Sequence, residues 1–250
     1  MDPAPRTAAE DNQRLRQQYN EIAVLAGRLA HEIKNPLSTI RLNMELLAED
    51  LGQAETPRER RALAKIAVVQ RECLRLQNLL DDFLNFAKVG ADRLEPSDLN
   101  RAVERTLDFF RPQAEEKRIG IVRYLDPDLP SVLLDREAFH GALLNLILNA
   151  QQAMPDGGDL VARTRVTPRG VALDLIDTGV GMDERTRGQV FQTFFSTRQG
   201  GSGLGLPTVR KIVASHDGTI SLESEVGRGT KFTIELPVPP RLPGGAPPAS

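Results

Sequence analysis

The chain has 250 residues, of which 40% are hydrophobic and 26% charged, and its formal net charge is −2. These values are ordinary for a folded globular protein, and the length suffices for one large domain or two smaller ones. The charge balance offers no basic surface for nucleic acid, and no apolar run approaches the length of a membrane span. We therefore predict neither nucleic-acid binding nor direct membrane insertion. The single cysteine, Cys73, cannot form an internal disulfide, which is typical of a cytoplasmic protein.

Two long amphipathic helices are predicted in the N-terminal third. Apolar residues recur every three or four positions over residues 22–51 and again over residues 63–87. Gly52 is a typical C-terminal stop, and Thr56 followed by a proline is a typical helix start. Two helices joined by a short loop form an antiparallel hairpin, which leaves much of each apolar stripe exposed. We therefore predict that two copies pair into a four-helix bundle, so that the protein is a homodimer.

One histidine in the first helix stands out. Within the sequence LAHEIKNPLS, His31 lies between two residues of the apolar stripe, so it points roughly opposite to the stripe, towards water. Glu32 is adjacent, and Pro36 has no N–H to donate, so a kink is expected there. A solvent-facing imidazole beside a carboxylate and a helix break indicates a reactive histidine. The alternative is an ordinary surface histidine on a bundle helix, which is the commoner case for a histidine taken alone.

The second part of the chain mixes helices and strands. Residues 90–96 break the helical pattern and indicate a domain boundary. Three helices are expected after it, at residues 99–116, 137–154 and 204–215. Strands are expected at residues 119–124, 131–134, 160–166, 171–176, 219–224 and 230–236. This mixture predicts an α/β sandwich with a largely antiparallel sheet, so the fold class of the whole chain is α+β.

The same pattern predicts the domain organisation. The expected segments are a flexible tail (1–10), the helical hairpin (11–90), a linker (91–97), the sandwich domain (98–237) and a disordered tail (238–250).

Asn145 and Asn149 lie four residues apart on one face of an otherwise apolar helix. Burying two amides is costly unless they find hydrogen-bonding partners. An amide oxygen is a hard ligand of the kind that Mg²⁺ prefers, so this pair predicts a site for a metal-bound phosphate. A pair of solvent-facing amides is the alternative when this helix is taken alone.

A second polar element, DTGVGM, begins at Asp177 and follows an apolar strand. The Asp177 carboxylate can accept a hydrogen bond from an exocyclic amine such as that of adenine. Gly179 and Gly181 allow the backbone to pass close to a planar base. The turn GRGT leads into the last strand and ends at Thr230, whose hydroxyl can reach the same base.

A glycine-rich run, GGSGLGLP, leads directly into a helix. Its glycines, among them Gly201, Gly203 and Gly205, free backbone N–H groups to face an anion, and a helix N-terminus favours phosphate. The run is neither a GxxxxGK[ST] loop nor a strand-linked dinucleotide fingerprint. In the preceding connector, VFQTFFSTR, the aromatic residues are typical of plugs that dock a mobile lid on a core. Thr197 and Arg198 of the connector are placed to touch terminal phosphates.

In this order, the elements resemble the catalytic core of two-component sensor histidine kinases over roughly residues 20–237. Each motif alone is loose, but all six in sequence and at sensible spacing are specific. The matching segments are His31–Pro36 (H-box), 145–150 (N-box), Asp177–Gly181 (first glycine box), Phe191–Phe195 (F-box), Gly201–Gly205 (second glycine box) and Gly227–Thr230 (third glycine box). The lid sequence and the end of the N-box are most similar to the nitrogen-regulation branch of the family.

The resemblance implies a function for each matching position. His31 is expected to accept the phosphoryl group, Glu32 to be its acid–base partner, and Asn35 to orient water when the response regulator is dephosphorylated. ATP and Mg²⁺ are the implied cofactors, Asn149 is the implied metal ligand, and a response regulator receiver domain is the implied partner. The implied fold of the second domain is the GHKL ATPase type. The implied ATP-binding residues are Asn145, Asn149, Asp177, Gly179, Gly181, Thr197, Arg198, Gly201, Gly203, Leu204, Gly205 and Thr230.

Two other functions remain open at this point: a stand-alone ATPase of the GHKL superfamily, and a degenerate kinase that acts as a scaffold for a regulator. The helix that carries His31 argues against the first, and intact Asn149 and Asp177 argue against the second. Two positions depart from the family pattern. Arg198 stands where lysine is common, and Asp217 stands where a glycine often follows the histidine.

Overall fold

The structure is a computed structural model that describes residues 8–52, 56–88, 93–198 and 201–239. It divides into two compact units. The first contains the described residues up to Lys88 together with Arg198–Leu204, and the second contains the remaining residues. The side chains of residues 8–26, 28, 29, 31 and 88 lie outside the described part.

The first unit is built on two helices, α1 (Ala8–Leu51) and α2 (Pro57–Lys88). The α-helical assignment of α1 is continuous through Pro36. The start of α2 is a reciprocal capping box, because the Glu59 N–H donates to Thr56 Oγ1 (3.2 Å) and the Thr56 N–H donates to the Glu59 carboxylate (2.9 Å). This arrangement confirms the helix start predicted from Thr56 and the proline that follows it.

The two helices pack against each other as an antiparallel hairpin. Lys34 of α1 forms an ion pair with Asp81 of α2, and the Gln77 amide donates to Ser38 Oγ at 3.1 Å. Leu37 and Cys73 are buried in the same unit. Other apolar side chains of the predicted stripes remain exposed, at a spacing of seven residues on each helix. They are Ile33, Ile40 and Leu47 on α1 and Val69, Leu76 and Phe83 on α2, and we call them the hairpin apolar face.

The described part of the second unit contains four helices and seven strands. The helices are α3 (Leu99–Glu116), α4 (Arg136–Ala153), α5 (Glu184–Gln189) and α6 (Gly205–Ser215). The strands are β1 (Glu95–Ser97), β2 (Ile119–Tyr124), β3 (Val132–Leu134), β4 (Gly158–Thr167), β5 (Gly170–Asp177), β6 (Thr219–Glu225) and β7 (Gly229–Pro237).

Five of these strands form one sheet in the order β2-β4-β5-β7-β6. β2 pairs with β4 in parallel, and the other three pairs are antiparallel, as the sequence predicts for a largely antiparallel sheet. β1 and β3 form a separate antiparallel pair. The sequence pattern missed β1 and α5, since both are short and lack an apolar period.

One hydrophobic core lies between the sheet and helices α3, α4 and α6. Alternate residues of the central strands enter it, among them Leu173 on β5 and Phe232 on β7. α4 contributes Phe139, Leu143 and Ile147, which are at most 1% exposed. Burial of each such side chain stabilises the fold by about 1.5–3 kcal/mol. The polar face of α4 is therefore fixed in place by the apolar face beneath it.

His216, three per cent exposed, joins the end of α6 to the start of α4. Its Nε2 accepts the Asp135 N–H at 2.9 Å, so Nδ1 carries the hydrogen and donates it to the Ile212 carbonyl at 2.7 Å. Asp135 in turn caps α4 by accepting the Ala138 N–H at 3.1 Å.

None of the described helices is long and apolar enough to cross a membrane.

Candidate nucleotide-binding site

Three polar side chains stand side by side at one end of the core-facing side of the sheet. Asp177 on β5 is the register partner of Thr230 on β7, which is the register partner of Ser224 on β6. Two residues further along, the same face carries the apolar row Leu175, Phe232 and Leu222. Each member of the polar row is at most 9% exposed. Groups buried to this extent need hydrogen-bonding partners.

The Asp177 carboxylate is held by two backbone donors. Its Oδ1 accepts the N–H of Gly179 at 2.9 Å and the N–H of Thr230 at 3.2 Å. Two hydrogen bonds to one oxygen fix the orientation of the carboxylate. A fixed carboxylate at the end of an otherwise apolar sheet face is suited to accept a hydrogen bond from a base amine.

Gly181 and Gly229 bring the loop after Asp177 against the β6–β7 turn. Both have positive φ (+66° and +85°), and a Cβ on either would overlap a backbone carbonyl, that of Glu225 for Gly181 and that of Asp177 for Gly229. The Gly227 N–H donates to the Val180 carbonyl at 2.8 Å. From the sequence, Gly181 was expected to let the backbone pass close to a base, and Gly229 to lie in a tight turn. In the structure, their close approach is to the protein's own backbone.

The polar face of α4 runs from the start of α6 to the loop after Asp177. Asn145 and Asn149 are half-buried on this face, and a Cβ on Gly205, the first residue of α6, would lie 3.6 Å from the Asn145 side-chain oxygen. At the other end, the Val180 N–H donates to the Ala153 carbonyl at 3.0 Å. Residues 145 and 153 are about 12 Å apart along a helix. This face therefore connects an anion-favouring helix N-terminus to the Asp177 carboxylate.

The aromatic connector docks through one of its phenylalanines. The Phe191 ring meets Phe232 of the core edge-on at 6.4 Å, and the Arg210 guanidinium lies over Phe191 at 5.7 Å. Phe195 is half-buried. Phe194 is 68% exposed with a φ of +65°, so it is not a plug in this structure. The sequence alone reveals neither this left-handed backbone conformation nor the exposure of the side chain.

The predicted phosphate contacts are divided between the two units. Thr197 is exposed in the second unit, while Arg198, Gly201, Gly203 and Leu204 belong to the first. The Gly201 N–H donates to the Arg198 carbonyl at 3.3 Å, and the Leu204 N–H donates to the Ser202 hydroxyl at 3.3 Å. Contact of these residues with phosphate stays a prediction.

The predicted phosphoacceptor region lies within α1. Glu32 and Asn35 are exposed, and the Asn35 carbonyl accepts the Thr39 hydroxyl at 3.1 Å. His31 belongs to the same helix, but its side chain lies outside the described residues. Because α1 is continuous here, positions 31 and 35 share one helix face.

Ser224 was not predicted as a site residue. Its place in the polar row follows from two facts: alternate strand residues share a face, and a tight turn of β6 into β7 sets Ser224 opposite Thr230. Once the register of the β6–β7 hairpin is known, the sequence SEVGRGT (residues 224–230) shows that Ser224 lies opposite Thr230.

Two family models match the chain. The model described as His Kinase A (phospho-acceptor) domain matches residues 21–92. The model described as Histidine kinase-, DNA gyrase B-, and HSP90-like ATPase matches residues 134–240. The chain carries the catalytic core of a histidine kinase. The expected fold class, a helical phosphoacceptor region followed by a mixed α/β ATPase domain of the GHKL type, is thereby confirmed.

Individual relatives agree with this assignment. The chain is 31% identical to the sensor histidine kinase ZraS of Escherichia coli over 93% of its own length and 49% of that protein. It is 30% identical to the signal transduction histidine-protein kinase AtoS of Escherichia coli, over 94% of this chain and 38% of that protein. The crystal structure of full-length ShkA in complex with AMPPNP matches with a TM-score of 0.66 and 27% identity, over 85% of this chain and 45% of that one. The chain thus spans between about two fifths and a half of the length of these curated relatives.

Proposed function

We propose that this histidine kinase core autophosphorylates His31 from Mg-ATP and transfers the phosphoryl group to an aspartate of a response regulator receiver domain. The observation that carries the proposal is the presence, in one chain, of a phosphoacceptor helix pair and an ATPase domain. The stand-alone ATPase is disfavoured because it has no use for the hairpin. The position of Asn35 on the face of His31 supports an additional phosphatase activity towards the regulator.

The described residues fit ATP and its metal ion. Asp177 supplies a fixed acceptor for the adenine amine, and Asn145 with the N-terminus of α6 supplies donors for the phosphates. Asn149, half-buried one turn further along α4, would hold Mg²⁺ through its amide oxygen. The ion, when bound, neutralises charge on the phosphate oxygens. ATP binding is consistent with the AMPPNP complex of ShkA.

The proposed reaction has one nitrogen nucleophile. A ring nitrogen of His31 attacks the γ-phosphorus in line, a nitrogen–phosphorus bond forms, and the bond to the ADP oxygen breaks. Glu32 accepts the proton from the other ring nitrogen, so that the attacking nitrogen keeps its lone pair. The phosphoryl group then passes to a carboxylate of the receiver domain. The nitrogen–phosphorus bond breaks and Glu32 returns its proton to the ring, which restores neutral His31.

We also propose that the functional species is a homodimer. The hairpin apolar face presents three side chains on each helix at seven-residue spacing, and they stay between 36% and 46% exposed. Seven-residue spacing is the repeat of helices that pack along their length against others. A second copy of the hairpin would cover this surface with its own hairpin apolar face.

We propose the domain boundaries that the sequence predicts, with the hairpin at 11–90, a linker at 91–97 and the ATPase domain at 98–237. We further propose a cytoplasmic location for this core, in agreement with its single, buried cysteine.

The test is incubation with γ-labelled ATP and Mg²⁺, comparing the wild type with His31→Gln. We expect a protein-bound label that is labile in acid, stable in alkali and absent from the variant, while both proteins bind ATP. His140→Gln is the control, because it replaces another histidine and should leave the label in place. Release of labelled phosphate without labelled protein would favour the stand-alone ATPase. ATP binding with neither label nor hydrolysis would favour the scaffold.

A further inference from the structure

Ser224 lies at the centre of the hydrogen bonds that join the loop after Asp177 to the β6–β7 turn. Its Oγ is 2.9 Å from three atoms: the Met182 nitrogen, the Gly229 carbonyl oxygen and the Thr230 hydroxyl oxygen. The side chain belongs to a residue only 9% exposed. One hydroxyl therefore contacts both segments that surround the Asp177 carboxylate.

The direction of each of these hydrogen bonds follows from counting hydrogens. A serine hydroxyl has one hydrogen and two lone pairs. The Gly229 carbonyl can only accept a hydrogen bond, so the Ser224 hydroxyl donates its hydrogen to that carbonyl. The Met182 N–H can only donate, so it occupies one lone pair of the Ser224 oxygen. The remaining partner, the Thr230 hydroxyl, must then donate to the second lone pair of Ser224.

The Thr230 hydroxyl is thus fixed as an acceptor towards anything else it meets. Thr230 and Asp177 are register partners on one face of the sheet, with Cβ atoms about 4.5–5.5 Å apart. A ligand group that reaches the Asp177 carboxylate therefore lies beside the Thr230 oxygen. Both protein groups present lone pairs to it.

We propose that Ser224 is a positioning residue that sets the base specificity of the nucleotide site. By holding the Thr230 hydrogen, it makes the site present two acceptors, which match the two N–H donors of a 6-amino purine. The same acceptors oppose the carbonyl oxygen of a 6-oxo purine. Without Ser224, the Thr230 hydroxyl can rotate and donate to that carbonyl. This inference rests on the proposed binding of ATP.

The test is calorimetric titration of the full chain with ADP and IDP, which avoid phosphoryl transfer. The two bases differ in the 6-substituent and in N1, which carries a hydrogen only in the 6-oxo purine. We expect the wild type to prefer ADP. In Ser224→Ala, the dissociation constant of IDP divided by that of ADP should fall about tenfold, mainly because IDP binds more tightly. One gained hydrogen bond of about 1.4 kcal/mol corresponds to a tenfold change in a dissociation constant. Ser221→Ala, an exposed serine on the same strand, is the matched control and should keep the wild-type ratio.

The outcomes separate positioning from mere support of the turn. Equal weakening of both nucleotides, or an unchanged ratio in folded Ser224→Ala, overturns the proposal while leaving nucleotide binding intact. A second pair of variants decides even where Ser224→Ala does not fold. Thr230→Val should lower the ratio and Thr230→Ser should keep it, and the reverse overturns the proposal. A wild type that binds neither nucleotide overturns both this inference and the proposed function.

Discussion

Asp217 occupies a backbone conformation that usually belongs to glycine. It follows α6 with a φ of +55°, its N–H donates to the Ala214 carbonyl at 3.1 Å, and the Gly218 N–H donates to the Val213 carbonyl at 2.9 Å. These two bonds form a Schellman motif with Asp217 at the left-handed position. A residue with a Cβ is strained there, although aspartate tolerates the conformation better than most residues. The family's preference for glycine at this position has a direct physical reason.

We expect Asp217→Gly to raise the free energy of unfolding of the ATPase domain by about 0.5–1 kcal/mol, because relief of the strain outweighs the greater freedom of glycine in the unfolded chain. Scanning calorimetry of the full chain measures this as a higher midpoint. Asp217→Ala is the control and should lower the midpoint, since alanine keeps the Cβ and lacks the local hydrogen bonding of aspartate. If the glycine variant proves no more stable than the alanine variant, the strain is not what limits stability here.

The individual site residues differ in how far the sequence reveals them. Asn145, Asn149 and Asp177 were predictable because a polar residue in an apolar helix, or at the end of an apolar strand, is a local signal. Ser224 was not, since its role depends on a partner in the next strand. Phe194 resembled a docking aromatic, and only the backbone conformation shows that it faces away from the core.

On the outer face of the sheet, a buried carboxylate links three neighbouring strands through hydrogen bonds. Asp174 on β5 has a fully buried side chain that accepts two hydrogen bonds from Arg163 on β4, at 2.7 and 3.1 Å, and one from Thr233 on β7, at 2.8 Å. Arg165 adds a second positive charge at 3.5 Å. Burial raises the pKa of Asp174, but the hydrogen bonds from Arg163 and Thr233 and the charges of both arginines outweigh it. The pKa therefore lies below its ordinary value.

This arrangement predicts a pH-dependent contribution to the stability of the sheet. A carboxyl with a lowered folded-state pKa stabilises the fold above its unfolded pKa of about 3.9, and the stabilisation is lost as the pH falls through the folded-state pKa. We expect Asp174→Asn to cost about 2 kcal/mol at pH 7, because hydrogen bonds to a charged group are lost. The cost should shrink progressively below about pH 4.

Urea unfolding at a series of pH values tests this expectation, with the exposed Asp156 replaced by asparagine as the control. The control should change the midpoint little at any pH. A cost for Asp174→Asn that is the same at pH 3 and pH 7 would show that ionisation of Asp174 does not contribute.

The elements themselves were predicted from periodicity where they are long. The predicted bounds of α3 and β2 agree with the structure, and those of the other longer elements of the second unit agree within two residues. β1 was missed because its pairing with β3 joins residues far apart in sequence. α5 was missed because it has no apolar face: its six residues are five polar residues and a glycine. Its start depends instead on the Asp183 cap, which accepts the Thr186 N–H at 2.7 Å.

At the scale of the whole molecule, the hairpin leaves exposed an apolar surface that the proposed second copy would cover. Each predicted stripe is wider than a single partner helix can cover. Leu37 is therefore buried, whereas Ile40, less than one turn away, is 43% exposed. A two-helix hairpin buries little surface by itself. The proposed isologous pairing of two hairpins would bury this apolar surface in one repeated interface.

The hairpin also provides a matched pair of variants for testing the dimer. Leu76 lies on the hairpin apolar face at 46% exposure, and Leu74, at 53%, lies two residues away and so about 200° around the helix. We expect the wild type to show twice the chain mass by light scattering at micromolar concentration. Leu76→Glu should dissociate it, because a carboxylate would have to be buried between two hairpins. Leu74→Glu should leave the mass unchanged, since that leucine stays in water in either state. A wild type of monomer mass, or dissociation by both variants alike, would mean that the hairpin apolar face is not the surface through which two chains meet.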